Sequence, residues 1–284
     1  MSLRKMATTV RIGFVPEHYA VPLVFAKKLG YYEESGLDKY EFVPYPSGSG
    51  HLIQSLKKRE IDIAVGLTEA FVRGISTGDE GEYSIVGQYV TSPLRWAIST
   101  GIGRKDLTIA DIKKVGISRL GSGSHVMSFV LAMEHGLAPF EYQVQDNFAN
   151  LRAGVNNGTT DAFMWEYFTS KKYYDSGDIR HLGDIYTPWP SWVITAGAHV
   201  EASVVDAFNR GTQRGIDYFN ANKDKGIDHI LESDSLDYNN KEDVENWAKA
   251  VVFCDNVAES VHQQPWRDVV AKTKDVLREA GVIQ

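Results

Sequence analysis

The sequence predicts an α/β fold: two βαβαβ lobes with a central cleft and two hinge crossings. Three observations carry this. Short apolar strands alternate with amphipathic helices, a strand–helix–strand–helix–strand unit occurs twice, and the chain ends on amphipathic helices instead of a third lobe. At 284 residues there is room for two lobes of ordinary domain size.

The strands read "VRIGF", "EFVPY" and "DIAVG" in the first unit, and "KVGIS", "YQVQ" and "DAFMW" in the second. Several are apolar throughout, as parallel strands covered on both faces tend to be. Leu23, Phe25, Ala26 and Leu29 keep one helical face apolar up to Gly30, and Met127, Val130 and Leu131 do so up to Gly136. The repeat register sets "GLDKYEFVP" at 36–44 against "GLAPFEYQV" at 136–144, which places the units near 8–90 and 105–187.

Three helices follow, in "VEASVVDAFNRGTQRGIDYFNANKD", "KEDVENWAKAVVFCDNVAESV" and "PWRDVVAKTKDVLREAGVI". Their apolar faces, around Phe208, Trp247 and Trp266, are expected to cover the first lobe. Residues 1–95 with 190–284 then form the first lobe and 96–189 the second, with crossings near 92–100 and 187–195.

Bulk composition narrows the function. Net charge −7 argues against a nucleic-acid footprint, which needs clustered Lys and Arg. No segment reaches the roughly 18 apolar residues of a membrane span, and no secretory signal is read at the start, where Met6 reads as a natural start behind a short leader. The chain reads as intracellular (cytoplasmic), with no direct membrane insertion. A single cysteine, Cys254, excludes an internal disulfide framework or a multi-cysteine zinc site; its apolar surroundings predict a buried helical position. The histidines show no metal-ligand spacing, so neither metal nor cofactor is expected.

The stretch "GISRLGSGSHVMSFVLAMEHG" runs from strand through a Gly/Ser turn into a helix, presenting free N–H groups. It is not a P-loop, because Ser122 stands where that motif needs lysine. A dinucleotide turn fails too, since Val126 replaces the third glycine. What is left is a helix N-terminus with Ser122, Gly123, Ser124 and His125, or a plain Ser cap. Ligands of open parallel sheets bind beyond the carboxyl ends of strands. There the first lobe offers Glu17, His18 and Tyr19, then Ser49 and His51, then Thr68 and Glu69. The second adds Trp165 and Glu166, the latter near-equivalent to Glu69, and Trp189 stands with Trp192 beside the return crossing.

The opening "VRIGFVPEHYAVPLVFAKKLGYYEESGL", the block "SLKKREIDIAVGLTEA", "GISRLGSGSH" and "NNGTTDAFMWE" together resemble the type 2 periplasmic-binding-protein fold. The similarity is to the branch of nitrate/sulfonate/taurine-type solute-binding proteins and thiamine-pyrimidine synthases, and it extends over nearly the whole chain. It implies a small-molecule ligand in the interlobe cleft, held by Glu17, His18, Tyr19, Thr68, Glu69, Ser122, Ser124, His125, Trp165 and Glu166. The transporter partner is unknown. The alternative is a synthase-like enzyme with a departed active site. Those synthases use pyridoxal phosphate on a lysine, with a nearby histidine, just after the strand that here reads "DIAVGLTEAF". That stretch contains neither, so a solute- or vitamin-precursor-like binder is expected, more a binder than an enzyme.

Overall fold

A computed structural model describes residues 8–284; the basic start of the chain, with Met6, lies outside the described residues. Among these, ten strands form two five-stranded sheets. The chain begins β1 (Val10–Phe14), α1 (Val21–Lys28), α2 (Tyr31–Glu34), β2 (Tyr40–Pro44), α3 (Ser49–Lys57), β3 (Ile63–Leu67), α4 (Thr68–Gly74) and β4 (Tyr83–Val90). It continues β5 (Arg95–Gly101), β6 (Lys114–Ile117), α5 (Gly123–His135), β7 (Glu141–Val144), α6 (Phe148–Asn156), β8 (Ala162–Glu166), α7 (Tyr167–Asp175) and β9 (Ile179–Tyr186). Last come β10 (Trp192–Gly197), α8 (Ala202–Ala221), α9 (Lys223–Leu231), α10 (Lys241–Ala250) and α11 (Gln264–Glu279).

The two sheets share one strand order, β2-β1-β3-β10-β4 and β7-β6-β8-β5-β9, so the repeat read in the sequence is structural. Gly30 and Gly136 stop α1 and α5 by taking φ of 72° and 61°, which glycine adopts without Cβ strain. The six strands of the two units pair in parallel, as expected, and each sheet is completed by strands from the crossings that run the other way. Strand β10 runs antiparallel to β3 and β4, and β5 runs antiparallel to β8 and β9. These are the exchanged strands: the chain passes from β4 to β5 across residues 91–94, and from β9 to β10 across 187–191. The sequence reading sets the crossings near 92–100 and 187–195; the structure confines them to these shorter segments, because Trp96–Gly101 and Trp192–Gly197 are buried inner strands.

The C-terminal helices also depart from expectation. Helix α8 lies on α1 and α2 of the first lobe, but α10 packs on α7, and α11 packs on both α4 and α5. They therefore touch both lobes. Helix α10 ends at Ala250; beyond it Phe253 bridges Val90, and the Cys254 N–H donates to the Tyr89 carbonyl at 2.9 Å. Cys254 is buried, but on extended chain, because the backbone there hydrogen-bonds the edge of β4. Helix α9 was not foreseen.

Gly211 and Gly215, one turn apart, let α8 approach closely. A Cβ on Gly215 would stand 2.2 Å from the Pro22 carbonyl oxygen and 2.8 Å from Ala26 Cβ. Backbone cannot yield as a side chain does. Gly215→Ala is expected to destabilise the protein by about 1–3 kcal/mol through overpacking. An unchanged urea midpoint would show that the helices separate freely. Among the described residues no helix is long and apolar enough to cross a membrane.

Candidate functional site

The carboxyl ends of the strands of both sheets meet at a cavity of about 40 Å³. That exceeds the roughly 10–15 Å³ a single water needs. From the first lobe come Val15 and Glu17 after β1, Ser49 at the start of α3, Leu67 ending β3, and Trp192 opening β10. From the second come Ser118, the turn Ser122–Gly123–Ser124, Trp96 on β5, and Trp165 and Glu166 at the end of β8. Val15, Glu17 and Trp165 also line an adjoining cavity of about 250 Å³, bounded by Lys172, Tyr173 and residues 235–238.

The Gly/Ser turn behaves both as a cap and as a donor surface. Ser122 Oγ accepts the His125 N–H at 3.4 Å, while Gly121 takes the left-handed φ of 79°. The Gly123 and Ser124 N–H groups, in the first turn of α5, have no partner among the described hydrogen bonds. Ser124 Oγ lies 3.0 Å from Ser122 Oγ and accepts the Ser118 N–H at 3.2 Å.

The carboxyls separate into three environments. Glu166 is 4% exposed; its Oε2 accepts the Thr169 N–H at 2.7 Å and the Thr169 hydroxyl at 3.0 Å. Its Oε1 accepts no hydrogen bond and lies 3.7 Å from His18 Nε2. Glu17 is partly buried; desolvation first, then the Glu166 charge, push its carboxyl up to about 8 against a contact with Trp165. Glu69 is fully buried but does not line the cavity. Its Oε2 accepts the Trp189 indole N–H at 2.8 Å, and burial pushes it up to about 7. The near-equivalence of Glu69 and Glu166 is offset by two residues. Glu166 ends β8, and Leu67 ends β3 in the corresponding place, leaving Glu69 inside the first turn of α4.

Several other sequence-selected residues support the cavity without lining it. His18, 1% exposed, sits among Tyr19, Trp247 and Tyr238 rings 4.5–5.1 Å away and hydrogen-bonds the Tyr238 hydroxyl through Nδ1. Tyr19 backs Trp192 at 5.1 Å. His51 packs edge-on against Tyr45, and burial with nearby Arg119 lowers its pKa. The Thr68 hydroxyl donates to the Pro190 carbonyl at 2.5 Å, tying α4 to the return crossing. His125 Nδ1 accepts the Gly121 N–H at 2.9 Å; burial, then Arg73, lower its pKa to about 4, so its ring is neutral near pH 7. Trp189 is turned to Glu69, and Trp192 takes the place on the cavity wall.

Trp96 and Trp192 are the main residues the sequence reading did not commit to. They occupy matching places: Trp96 pairs with Glu166 and Trp192 with Leu67, each on an exchanged strand. Both indole N–H groups are buried, with no partner among the described residues. A tryptophan beside each crossing was the available signal. Tyr238, between α9 and α10, was also missed; it lies 3.2 Å from the Thr169 hydroxyl and links the two lobes through His18.

Comparison with known proteins agrees with this architecture. Residues 96–185 match a family described as Ca3427-like PBP, and residues 4–111 match the NMT1-like family. No curated protein matches the sequence. The alkanesulfonate-binding protein SsuA from Xanthomonas axonopodis pv. citri, bound to MOPS, is 17% identical with a TM-score of 0.76, covering 98% of this chain and 96% of that one. The periplasmic nitrate-binding protein NrtA from Synechocystis PCC 6803 is 15% identical with a TM-score of 0.69, covering 97% and 89%. These two share the fold. The Candida albicans CA3427 gene product is 44% identical with a TM-score of 0.90, over 98% of this chain and 91% of that one. The chain therefore belongs to the family that the CA3427 product defines, whose members exhibit the generic periplasmic-binding-protein fold.

Proposed function

We propose that this protein binds a compact small molecule, a solute or vitamin-precursor-like compound, and closes its lobes over it. The observation that carries the reading is the chemistry of the cavity wall. Free N–H groups of Gly123 and Ser124 stand with serine hydroxyls in the same small space as the Glu166 and Glu17 carboxyls. The first group suits a strong acceptor, the second suits amino donors, and the rings of Trp96, Trp165 and Trp192 suit a flat or apolar middle. Binding of alkanesulfonate and nitrate by the fold relatives, as their names state, supports a small-molecule ligand.

The synthase alternative is disfavoured. Among the described residues no lysine lines the inner cavity, so the site as described does not fit pyridoxal phosphate held on a lysine.

A thermal-shift panel of aminopyrimidines, vitamin precursors, taurine, alkanesulfonates and nitrate tests the reading. Amino-bearing compounds are expected to stabilise the protein. Stabilisation by simple oxyanions alone, unchanged in Glu166→Gln, would remove the carboxyls from ligand recognition. Ser124→Asp adds a negative charge where the acceptor lies, and should weaken binding at least about tenfold, about 1.4 kcal/mol. Unaltered affinity by calorimetry would displace the acceptor end from α5.

A further inference from the structure

We propose that Glu17 and Glu166 together form a seat for a ligand ammonium group, so that the ligand is a compact zwitterion with its acid end on the first turn of α5. This assignment depends on the ligand-binding reading above and narrows it to one chemical class.

The two carboxyls come from opposite lobes, the loop after β1 and the end of β8, and line the same cavity. Among the described ion pairs Glu17 has none, and Glu166 has only His18, at 3.7 Å. Trp165 lines the same cavity as the two carboxyls, and His18, with the Tyr19 and Tyr238 rings against it, stands beside Glu166. At the outer cavity Lys172 is held by the Asp237 carboxylate and carbonyl. Among the described residues no permanent cation is thus committed to the two carboxyls. Two such groups in low dielectric repel unless a positive charge joins them. With no ligand, a proton on Glu17 serves: desolvation first, and the Glu166 charge second, push its carboxyl up to about 8. Elsewhere on the wall the Gly123 and Ser124 N–H groups are joined by the partnerless, 3%-exposed Trp96 and Trp192 indoles, so acceptor and cation places are both present.

An arriving ammonium displaces the Glu17 proton to solvent. Binding near pH 7 should therefore release about one proton, and affinity should rise with pH until Glu17 is already ionised. The test is calorimetry with taurine and β-alanine, and with ethanesulfonate and propionate as their amine-free counterparts, in two buffers of different ionisation enthalpy. The amino probes are expected to bind with proton release, and the amine-free ones about tenfold to a hundredfold more weakly. Glu17→Gln should abolish the proton release and bring the amino probes down to the amine-free level, with an unchanged near-ultraviolet circular dichroism spectrum. Equal binding of both kinds without proton release overturns the ammonium seat and leaves ligand binding standing. If none of the four binds but an aminopyrimidine does, the zwitterion class fails alone; if nothing in either set binds, the ligand-binding reading fails too.

Discussion

Raising the pH from about 6.5 to about 8.5 is expected to destabilise the ligand-free protein by on the order of 1–2 kcal/mol. The cause is the pair of raised carboxyls, Glu17 at about 8 and Glu69 at about 7. Both hold protons in the folded chain at a pH where the unfolded chain has released them. Their contribution is full below the ordinary glutamate range and is lost as pH rises through 7 and 8. Below about pH 6.5 the trend is mixed, because burial holds His51, His125 and His229 neutral and favours the folded state as pH rises toward the free histidine value. The carboxyl effect is therefore read cleanly above that point. Differential scanning calorimetry should show a fall of several degrees, flattened in Glu17→Gln and in Glu69→Gln. A melting temperature level across the window would mean that both carboxyls are solvated and that the lobes stand apart in solution.

Gly123→Val is expected to weaken ligand binding strongly while leaving each lobe folded. Even the first side-chain atom there would stand 2.5 Å from Leu67 Cδ1, 3.0 Å from Trp96 Cη2 and 3.1 Å from Glu69 Oε1. Leu67 and Glu69 reach Gly123 from the other lobe, so the clash is relieved by parting the lobes. A cost of about 1–3 kcal/mol for overpacking corresponds to roughly a tenfold to hundredfold loss of affinity. Valine adds two methyl groups to that clash. Small-angle scattering should report a larger radius of gyration for the variant. Wild-type affinity and dimensions would show that this contact does not hold the lobes together.

The repeat and the Gly/Ser turn were legible because their signals are local. Helical spacing around Leu23 and Val130, the glycine stops at 30 and 136, and apolar strands such as "IAVGL" follow from side-chain periodicity and backbone freedom. The same locality placed Glu17, Ser49, Ser122, Gly123, Ser124, Trp165 and Glu166 at strand ends, where the cavity lies. The remaining selected residues do not line this cavity, a distinction that no spacing encodes. His18 and Tyr19 immediately follow Glu17, yet a tight turn carries them behind the wall, against Trp247 from a helix more than 200 residues later.

The sequence by itself determined the α/β class, the duplicated unit and the strand ends where a ligand would be met, because each follows from short-range pattern. Tertiary structure alone decided that β5 and β10 enter the sheets as antiparallel inner strands and bring Trp96 and Trp192 to one cavity. It also decided that Glu69 turns to Trp189, and that α10 and α11 touch both lobes. Those outcomes depend on which buried surface a segment finds after the chain crosses, and burial against a distant partner leaves no period in the segment's own residues.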